Sequence, residues 1–249
     1  MMPILLFFAA HWYLSLFTQT FFLHRYAAHH MFTMSPAWEK FFYVLTYLFQ
    51  GSSFLSPKAY GIMHRLHHAY ADTERDPHSP KYSANLADMM WKTKNIYNDI
   101  LSDRLPLEAK FKKGVPDWKP IEWLGDRWLS RLAWGVGYSL FYIYFATAWW
   151  QFLLLPIHYL MGPVHGAIIN WFAHKWGYIN FKVNDTAKNL LPVDFLMFGE
   201  AYHNNHHKLG GRANFGVKWW EFDPAYPIIL LLNAVGVIKL KRNNDLNYM

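Results

Sequence analysis

Three clusters of histidine carry the strongest chemical signal in this sequence of 249 residues, which contains 14 histidines and no cysteine. The first cluster reads His24-Arg-Tyr-Ala-Ala-His29-His30, and the other two have the form HxxHH, beginning at His64 and at His203. Residues three and four positions apart share a face of an α-helix, so each HxxHH box can direct three imidazoles into a common space. The lack of cysteine excludes thiolate metal sites, iron–sulfur clusters and cysteine nucleophiles.

The number of clustered imidazoles favours two metal ions over one. A structural zinc site needs only four ligands, whereas eight or more histidines supply two ions with four or five each. His24 and His29 are five residues apart, about 140° around an α-helix, so they suit two neighbouring ions better than one.

The ligand type suits iron, zinc, copper or nickel. Iron is favoured because the histidines adjoin an apolar, lipid-embedded segment, where the expected substrate is a hydrocarbon chain. Unactivated C–H bonds require O2 chemistry at a redox metal, which zinc cannot supply.

Long segments without charge indicate which elements position the histidines. Residues 1–24 and 132–174 contain no Asp, Glu, Lys or Arg, and about 20 apolar residues suffice to cross a bilayer. The first segment has no basic region or cleavage site, so we expect a retained anchor. Dividing the second near Leu155-Pro156 gives three spans, at about 3–23, 132–153 and 156–174.

A third charge-free segment, 41–57, contains the polar sequence Gln50-Gly51-Ser52-Ser53. If this segment crossed the membrane, the histidines in 24–30 and 64–68 would lie on opposite faces and could not share a site. We therefore predict that it dips into the interface or packs against the spans without crossing. The same reasoning applies to the short apolar stretch 226–240.

The sequence thus predicts one all-α domain over residues 1–249, an integral membrane helical bundle of about three spans. A helical cap, residues 58–131 and 175–249, holds the metal centre. All charged residues then lie on one side, and the excess of 24 Lys+Arg over 17 Asp+Glu makes that side cytoplasmic. The net charge of +7 comes without a compact basic block or a nucleic-acid motif, so nucleic acid is not an expected partner.

The three boxes resemble the tripartite histidine signature of membrane fatty-acid desaturases, specifically the stearoyl-type (Δ9) acyl-CoA desaturases in their short bacterial form. The resemblance covers nearly the whole chain and includes HRLHHAYADTERDPHSP from His64 and GEAYHNNHH around His203. It implies a bacterial inner-membrane protein whose active site faces the cytoplasm and holds two iron ions. It also implies nine histidine ligands and an asparagine that acts through water, at His24, His29, His64, His67, His68, His174, His203, His206, His207 and Asn170.

Carboxylates beside the boxes are candidates for orienting the ligands, because a metal-bound imidazole commonly donates its second N–H to a carboxylate. We assign this role to Asp72, Asp76 and Glu200. For Glu74, the same role and simple surface acidity are equally supported. The sequon that begins at Asn184 lies on the side expected to be cytoplasmic, so glycosylation is not expected.

The remaining histidines are expected outside the metal shell. His78 recurs in the family beyond that shell and should orient a neighbouring group, and His30 should be interfacial or adjacent to the ligands. Three histidines lie within the expected spans, where each must find a polar partner or line an acyl tunnel; these are His11, His158 and His165.

The resemblance implies an enzyme that uses O2 to introduce a cis double bond, most often at Δ9, into a saturated acyl chain. Because the chain has no dinucleotide fingerprint or haem motif, electrons must come from a separate donor, a ferredoxin or a cytochrome b5-like protein with its reductase. Two alternatives stay open: a lipid hydroxylase or ketolase on the same scaffold, and a membrane metal carrier or sensor.

Two departures from the animal members bear on topology and on the acyl carrier. Those proteins have two crossings before the first box, whereas this chain has one. They also carry an Arg-Asp pair that contacts coenzyme A, at positions occupied here by Ile62 and Met63. The substrate can therefore be linked to coenzyme A, to a lipid or to a carrier protein.

Overall fold

The computed structural model describes residues 1–241, and this part of the chain is mostly helical. The predicted contribution of residues 242–249 to the cap lies outside the described residues. The first helices are α1 (Met2–Thr18), which continues directly as a π-helix (Gln19–Ala28), α2 (Pro36–Gln50), α3 (Pro57–Tyr70), α4 (Leu86–Leu101), α5 (Ala109–Lys112) and α6 (Lys119–Asp126). They are followed by α7 (Trp128–Phe145), α8 (Leu155–Tyr159), α9 (Met161–Ala167), which continues as a π-helix (Ile168–Phe172), α10 (His203–Lys208) and α11 (Ala225–Ala234). Short 3-10 helices occupy Gly51–Ser53, Pro80–Tyr82 and Trp149–Leu154.

The helices that lead to the second histidine box begin at side-chain caps. Ser35 accepts a hydrogen bond from the Trp38 amide at the start of α2, and Ser56 accepts one from the Ala59 amide at the start of α3. In both helices a proline follows the cap, where its missing N–H is not needed. These local signals fix where α3 begins, and hence the direction in which its histidines project.

The segment 41–57 does not run the full length of α1. Helix α2 packs antiparallel to α1, since Phe22 contacts Tyr43 while His11 lies beside Phe49. It ends at Gln50, and the next residue is Gly51, whose φ of 51° favours glycine and where a Cβ would collide with the hydroxyl of Tyr138. The chain then returns through α3, which packs along the π-helical end of α1. This return brings the first two histidine clusters to the same end of the bundle.

The segment 132–174 reverses direction earlier than predicted. Helix α7 ends at Phe145, and the side-chain oxygen of Gln151 accepts hydrogen bonds from the amides of Thr147 and Ala148 at 2.7 and 3.1 Å. The reversal therefore lies at residues 146–148 and not near Leu155-Pro156. Pro156 instead stands in the first turn of α8, a position that tolerates proline.

One helix in residues 1–241, Met2–Ala28, is by itself long and apolar enough to cross a membrane. The helices Trp149–Tyr159 and Met161–Phe172, which meet at a bend of 79°, reach the same length and apolar character only when taken together as one broken span. The three crossings and the cytoplasmic cap remain predictions.

Two short strands modify the all-α expectation. β1 (Phe32–Met34) pairs antiparallel with β2 (Ile238–Leu240), with Phe32 opposite Leu240. Strands of three residues leave too little alternation in the sequence to be recognised. The pairing fastens the end of the described chain to the loop that follows the first histidine cluster.

Apolar packing supports the site from two sides. An aromatic core surrounds the π-helical end of α1 and includes Phe21, Phe22, Phe42 and Tyr43. A second core, formed by α3, α4 and α5, buries Ile62 and Ile100 beneath the second histidine box. The histidines thus project from helices that are packed on both sides.

Candidate metal centre

Nine imidazoles meet at one end of the helical bundle and form two groups. Within each group, the ring nitrogens that could bind a metal all lie within 4.8 Å of one another. The five-histidine group contains His24, His29, His64, His68 and His206. The four-histidine group contains His67, His174, His203 and His207. These are the nine histidines singled out from the sequence.

Each HxxHH box contributes to both groups. From α3, His64 and His68 join the five-histidine group, whereas His67 joins the other. From α10, His206 joins the five-histidine group while His203 and His207 join the four-histidine group. Residues three and four apart diverge by some tens of degrees around a helix, which is enough to serve two adjacent centres.

The expectation that His24 and His29 serve different ions is wrong in geometry, because both lie in the five-histidine group. Their ring centroids are 5.1 Å apart. The chain here is a π-helix, in which the His29 amide donates to the His24 carbonyl at 3.2 Å. Bonds from residue i to i+5 place residues five apart above one another, whereas the 140° estimate assumed an α-helix.

The spacing of the nitrogens fits metal coordination. In the five-histidine group, Nε2 of His206 lies 2.9 Å from Nε2 of His24 and of His68. In the four-histidine group, Nε2 of His203 lies 3.0 Å from that of His174. A metal–imidazole bond of about 2.1 Å places ligands at right angles about 3.0 Å apart. Both donor sets therefore fit a metal ion bound through Nε2.

Burial lowers the pKa of eight of these imidazoles and so favours the neutral form, which is the form that binds metal. It lowers the pKa of His67 to about 3, an effect to which the neighbouring His174 adds. Burial likewise holds the pKa of His203 and of His206 well below the usual value of 6.5. At neutral pH the site therefore presents lone pairs, not a cluster of positive charges.

Two of the three carboxylates selected from the sequence contact a histidine directly. His24 Nδ1 donates to Glu200 at 2.6 Å, and His67 Nδ1 donates to Asp76 at 2.9 Å. Such bonds fix the ring orientation and leave Nε2 free for a metal. Asp72 acts less directly, since it lies 3.9 Å from His174 and accepts the Thr186 amide at 2.6 Å.

Asp185 and Thr186 were missed in the sequence. Asp185 accepts a hydrogen bond from His207 Nδ1 at 2.8 Å, and the Thr186 hydroxyl lies 3.1 Å from His174 Nδ1. Their segment was considered only as a glycosylation sequon. No spacing signal links it to the boxes, since tertiary contacts carry it to the site.

Those contacts come from the two asparagines inside the last box. The Asn204 side chain accepts the amides of Asn180 and Phe181, each at 2.9 Å. Asn205 Oδ1 accepts from Asn180 and Asn189, and its Nδ2 donates to Glu221 at 2.9 Å. A helix of six residues has little stability alone, so this buried network holds α10 and the Asp185 loop together.

A buried ion-pair cluster stands behind His24. Arg25 is fully buried; it donates to Asp223 at 2.7 Å and to Glu200 at 3.3 Å, and it lies over the ring of Phe215. Burial alone would raise the pKa of Glu200, but His24 and Arg25 hold it below its usual value. Glu200 therefore stays ionised as the partner of His24.

The other candidate residues lie around the two groups. His78 packs against His67 with ring centroids 4.3 Å apart and ring planes inclined by 35°, and its backbone amide donates to Asp76. His30 lies outside both groups, 2.6 Å from Arg65. Glu74 is exposed and contacts no ligand among the described residues, which supports surface acidity.

A cavity opens beside the histidines, between α1, α3 and the helix that contains α9. Asn170 stands in its wall, outside both histidine groups, and His24, His64 and His203 reach it from the site. The remaining wall is partly apolar and partly polar, formed by Leu16, Gln19, Tyr60, Met63, His78, His165, Gly166, Ile169, Met197 and Glu200. An apolar chain entering this space would pass directly beside both groups.

Two of the deeper histidines pair with each other. His11 Nδ1 lies 2.6 Å from His158 Nδ1, and His158 Nε2 lies 2.9 Å from the hydroxyl of Tyr142. His165 is buried in the cavity wall against Trp12. In residues 1–241 none of the three belongs to a metal-binding group.

Comparison with known proteins gives a consistent result. Residues 1–232 match the family model described as fatty acid desaturase. The chain is 31% identical over 223 residues to Delta-9 acyl-lipid desaturase 2 of Arabidopsis thaliana, covering 86% of this chain and 66% of that protein. It is 28% identical to sn-1 stearoyl-lipid 9-desaturase of Anabaena variabilis, covering 86% and 74%. It is 27% identical to icosanoyl-CoA 5-desaturase of Limnanthes douglasii, covering 86% and 58%. The chain thus spans between about half and three quarters of the length of these relatives.

Proposed function

Because the chain belongs to the fatty acid desaturase family, we propose that it is an O2-dependent fatty acyl desaturase that introduces a cis double bond into a saturated chain. The observation that carries this proposal is the division of nine imidazoles into two groups beside one cavity. The relatives named for the Δ9 position support the same position here.

The five-histidine and four-histidine groups would each hold one iron ion, with Asn170 acting on the second through water. Iron, when bound, would supply the redox chemistry with O2 that unactivated C–H bonds require. The protein's own contribution is to keep eight of the nine imidazoles neutral by burial and to direct all nine toward two points. Glu200, Asp76 and Asp185 perform the aiming by accepting the second N–H of three ligands.

The cavity would hold the reacting segment of the acyl chain, with two adjacent methylenes beside the histidines. Leu16, Met63, Ile169 and Met197 line it and favour a hydrocarbon over water. Holding one C–C bond next to both ions would raise the rate at that bond, because the reacting groups are already in position. The position of the double bond would depend on how far the acyl chain extends into the cavity.

An acyl-lipid is the carrier that the observations favour. Ile62 and Met63 stand where the animal enzymes carry an Arg-Asp pair; both are apolar and buried, in the core and the cavity wall, so they offer no charged contact to coenzyme A. The Arabidopsis and Anabaena relatives are named for acyl-lipid and stearoyl-lipid substrates, although the Limnanthes relative is named for a CoA ester.

A membrane location is supported by apolar surface on α7. Leu129, Leu132, Val136, Leu140 and Ile143 recur every three or four residues and are between 56% and 78% exposed. An apolar stripe of this length on one face of a helix favours contact with lipid. We propose three crossings, with the histidines and the charged residues on the cytoplasmic side.

Electrons would come from a separate ferredoxin or cytochrome b5-like protein. His29, His68 and His207 are partly exposed, in contrast to the six other ligands, which are buried. An electron donor in solution would therefore come nearest to the ions at the surface formed by His29, His68 and His207.

The test is to express the chain with a compatible electron donor and to analyse the fatty acids by gas chromatography. A new monoene should appear and should vanish in His206→Ala. His30→Ala is the matched control, because His30 adjoins the first box but lies outside both groups. A hydroxylated or keto product would identify a hydroxylase or ketolase, and metal uptake without a lipid product would identify a carrier or sensor.

A further inference from the structure

Acidic side chains are unequally divided between the two histidine groups. Around the four-histidine group, Asp76 contacts His67, Asp185 contacts His207, and Asp72 lies 3.9 Å from His174. No Lys or Arg within residues 1–241 forms an ion pair with any of these three carboxylates. Three carboxylates therefore face this group, and none of them is paired with a Lys or Arg of the described chain within 4.0 Å.

The five-histidine group has one such carboxylate in the described chain, Glu200, which contacts His24. Arg25 donates to that same carboxylate and is itself fully buried, so its positive charge is poorly screened by solvent. Arg65 adds a second guanidinium beside His30, close to His29. Two carboxylates, Glu200 and Asp223, and two guanidinium groups, Arg25 and Arg65, therefore stand around this group, and their formal charges cancel.

The larger number of carboxylates favours metal binding at the four-histidine group, whereas the larger number of imidazoles favours it at the five-histidine group. Five imidazoles bind a given ion more tightly than four if the surroundings are equal. A carboxylate that accepts the second N–H of an imidazole makes that ligand more basic, and its charge attracts the cation directly. On the four-histidine side the first effect acts at two ligands, through Asp76 and Asp185, and the charge of Asp72 adds to the second effect. On the other side one carboxylate, Glu200, acts on one ligand and also pairs with Arg25.

We propose that the two metal positions are inequivalent and that the four-histidine position holds its ion more tightly despite having fewer imidazoles. Asp76 and Asp185 are the positioning residues that set this order. The inference rests on the proposed function only in taking both groups to bind metal. It adds that the ions are released in a fixed order, with the five-histidine ion first.

The experiment follows iron release from the purified, iron-loaded protein into excess chelator. Two phases of equal amplitude are expected. Asp185→Asn keeps a hydrogen-bond acceptor but removes a charge, and should accelerate the slow phase alone by about 10- to 100-fold. Asp76→Asn should also accelerate the slow phase alone. Because Asp76 and Asp185 lie in different loops, a folding defect in one variant does not decide the result.

Further variants identify the phases. Glu200→Gln should accelerate only the fast phase, His29→Ala should abolish the fast phase, and His203→Ala should abolish the slow one. Glu74→Gln is the matched control, because Glu74 is exposed between Asp72 and Asp76, and it should change neither phase.

A single release phase, or an Asp185→Asn variant that accelerates the fast phase, would overturn the inference while leaving the desaturase proposal intact if a monoene is still formed. Protein that binds fewer than two ions per chain would instead count against the two-metal assignment itself.

Discussion

His24 and His29 lie on the same side of the first long helix, with ring centroids 5.1 Å apart, although five residues separate them. The π-helical turn between them makes this possible. Both rings therefore belong to one metal position, and the remaining members of each group can be tested by counting ions.

Ligand variants from one group should lose one ion, and variants from both groups should lose two. We expect about two ions per wild-type chain and about one in His24→Ala. The double variant His24→Ala/His29→Ala should still retain about one ion, because both residues serve the same position. His29→Ala/His203→Ala should retain none. Elemental analysis checks this, and equal contents in the two double variants would contradict the grouping.

Arg25→Met should destabilise the protein by about 3–5 kcal/mol, because it leaves Glu200 and Asp223 as buried charges without a partner. Adding Asp223→Asn should recover part of the loss, since one uncompensated charge is then removed. Thermal unfolding in detergent measures both variants. A loss below about 1 kcal/mol would show that the cluster is effectively solvated.

Acid should destabilise the site. The folded pKa of His67 is about 3, below its ordinary value of 6.5, so the unfolded chain binds more protons between these values. Stability therefore falls as pH drops below about 6.5, by about 1.4 kcal/mol per pH unit for each such histidine. Unfolding temperature and iron content should both decrease from pH 7.5 to 5.5. Values independent of pH over this range would contradict the neutral, buried imidazoles.

Filling the cavity should stop the reaction without removing the ions. A Cβ at Gly166 would have only the Asn170 amide nitrogen near it, at 3.8 Å, so Gly166→Leu projects into the space assigned to the acyl chain. We expect a rate loss of roughly 100-fold or more with iron content unchanged. Gly137→Leu is the matched control, because a Cβ at Gly137 meets nothing within 4 Å. Full activity in Gly166→Leu would show that the substrate lies elsewhere.

The proposed topology is accessible to single-cysteine labelling, since the chain has no cysteine of its own. Glu74→Cys should react with an impermeant maleimide from the cytoplasmic side of oriented vesicles. Thr147→Cys, in the exposed turn between α7 and α8, should react only from the opposite side. Labelling of both positions from one side would contradict the three crossings.

The histidine boxes were recognisable because their chemistry lies within four or five consecutive residues. Two HxxHH patterns on short helices are enough to select six of the nine imidazoles that meet in the structure. The argument that 41–57 turns back needed only the requirement that His29 and His64 approach one another, and their Nε2 atoms are 2.8 Å apart.

What escaped the sequence depends on backbone geometry or on distant contacts. The sequence of an apolar helix gives no signal that its last turns are π-helical. The prediction that His24 and His29 serve different ions was therefore wrong. Pro156 was interpreted as part of the turn between two spans, but proline is also common in the first turn of a helix, where Pro156 lies. Asp185 reaches His207 only because Asn204 and Asn205 hold its loop.

Because α3 and α10 each serve both histidine groups, neither metal position is complete until α10 has been made. His206 is needed for one group, and His203 and His207 are needed for the other. A chain still emerging from the ribosome therefore has no finished pocket for either ion. Both groups would therefore be completed only after α10 has been synthesised, and a chain truncated before residue 203 lacks one histidine of the five-histidine group and two of the four-histidine group.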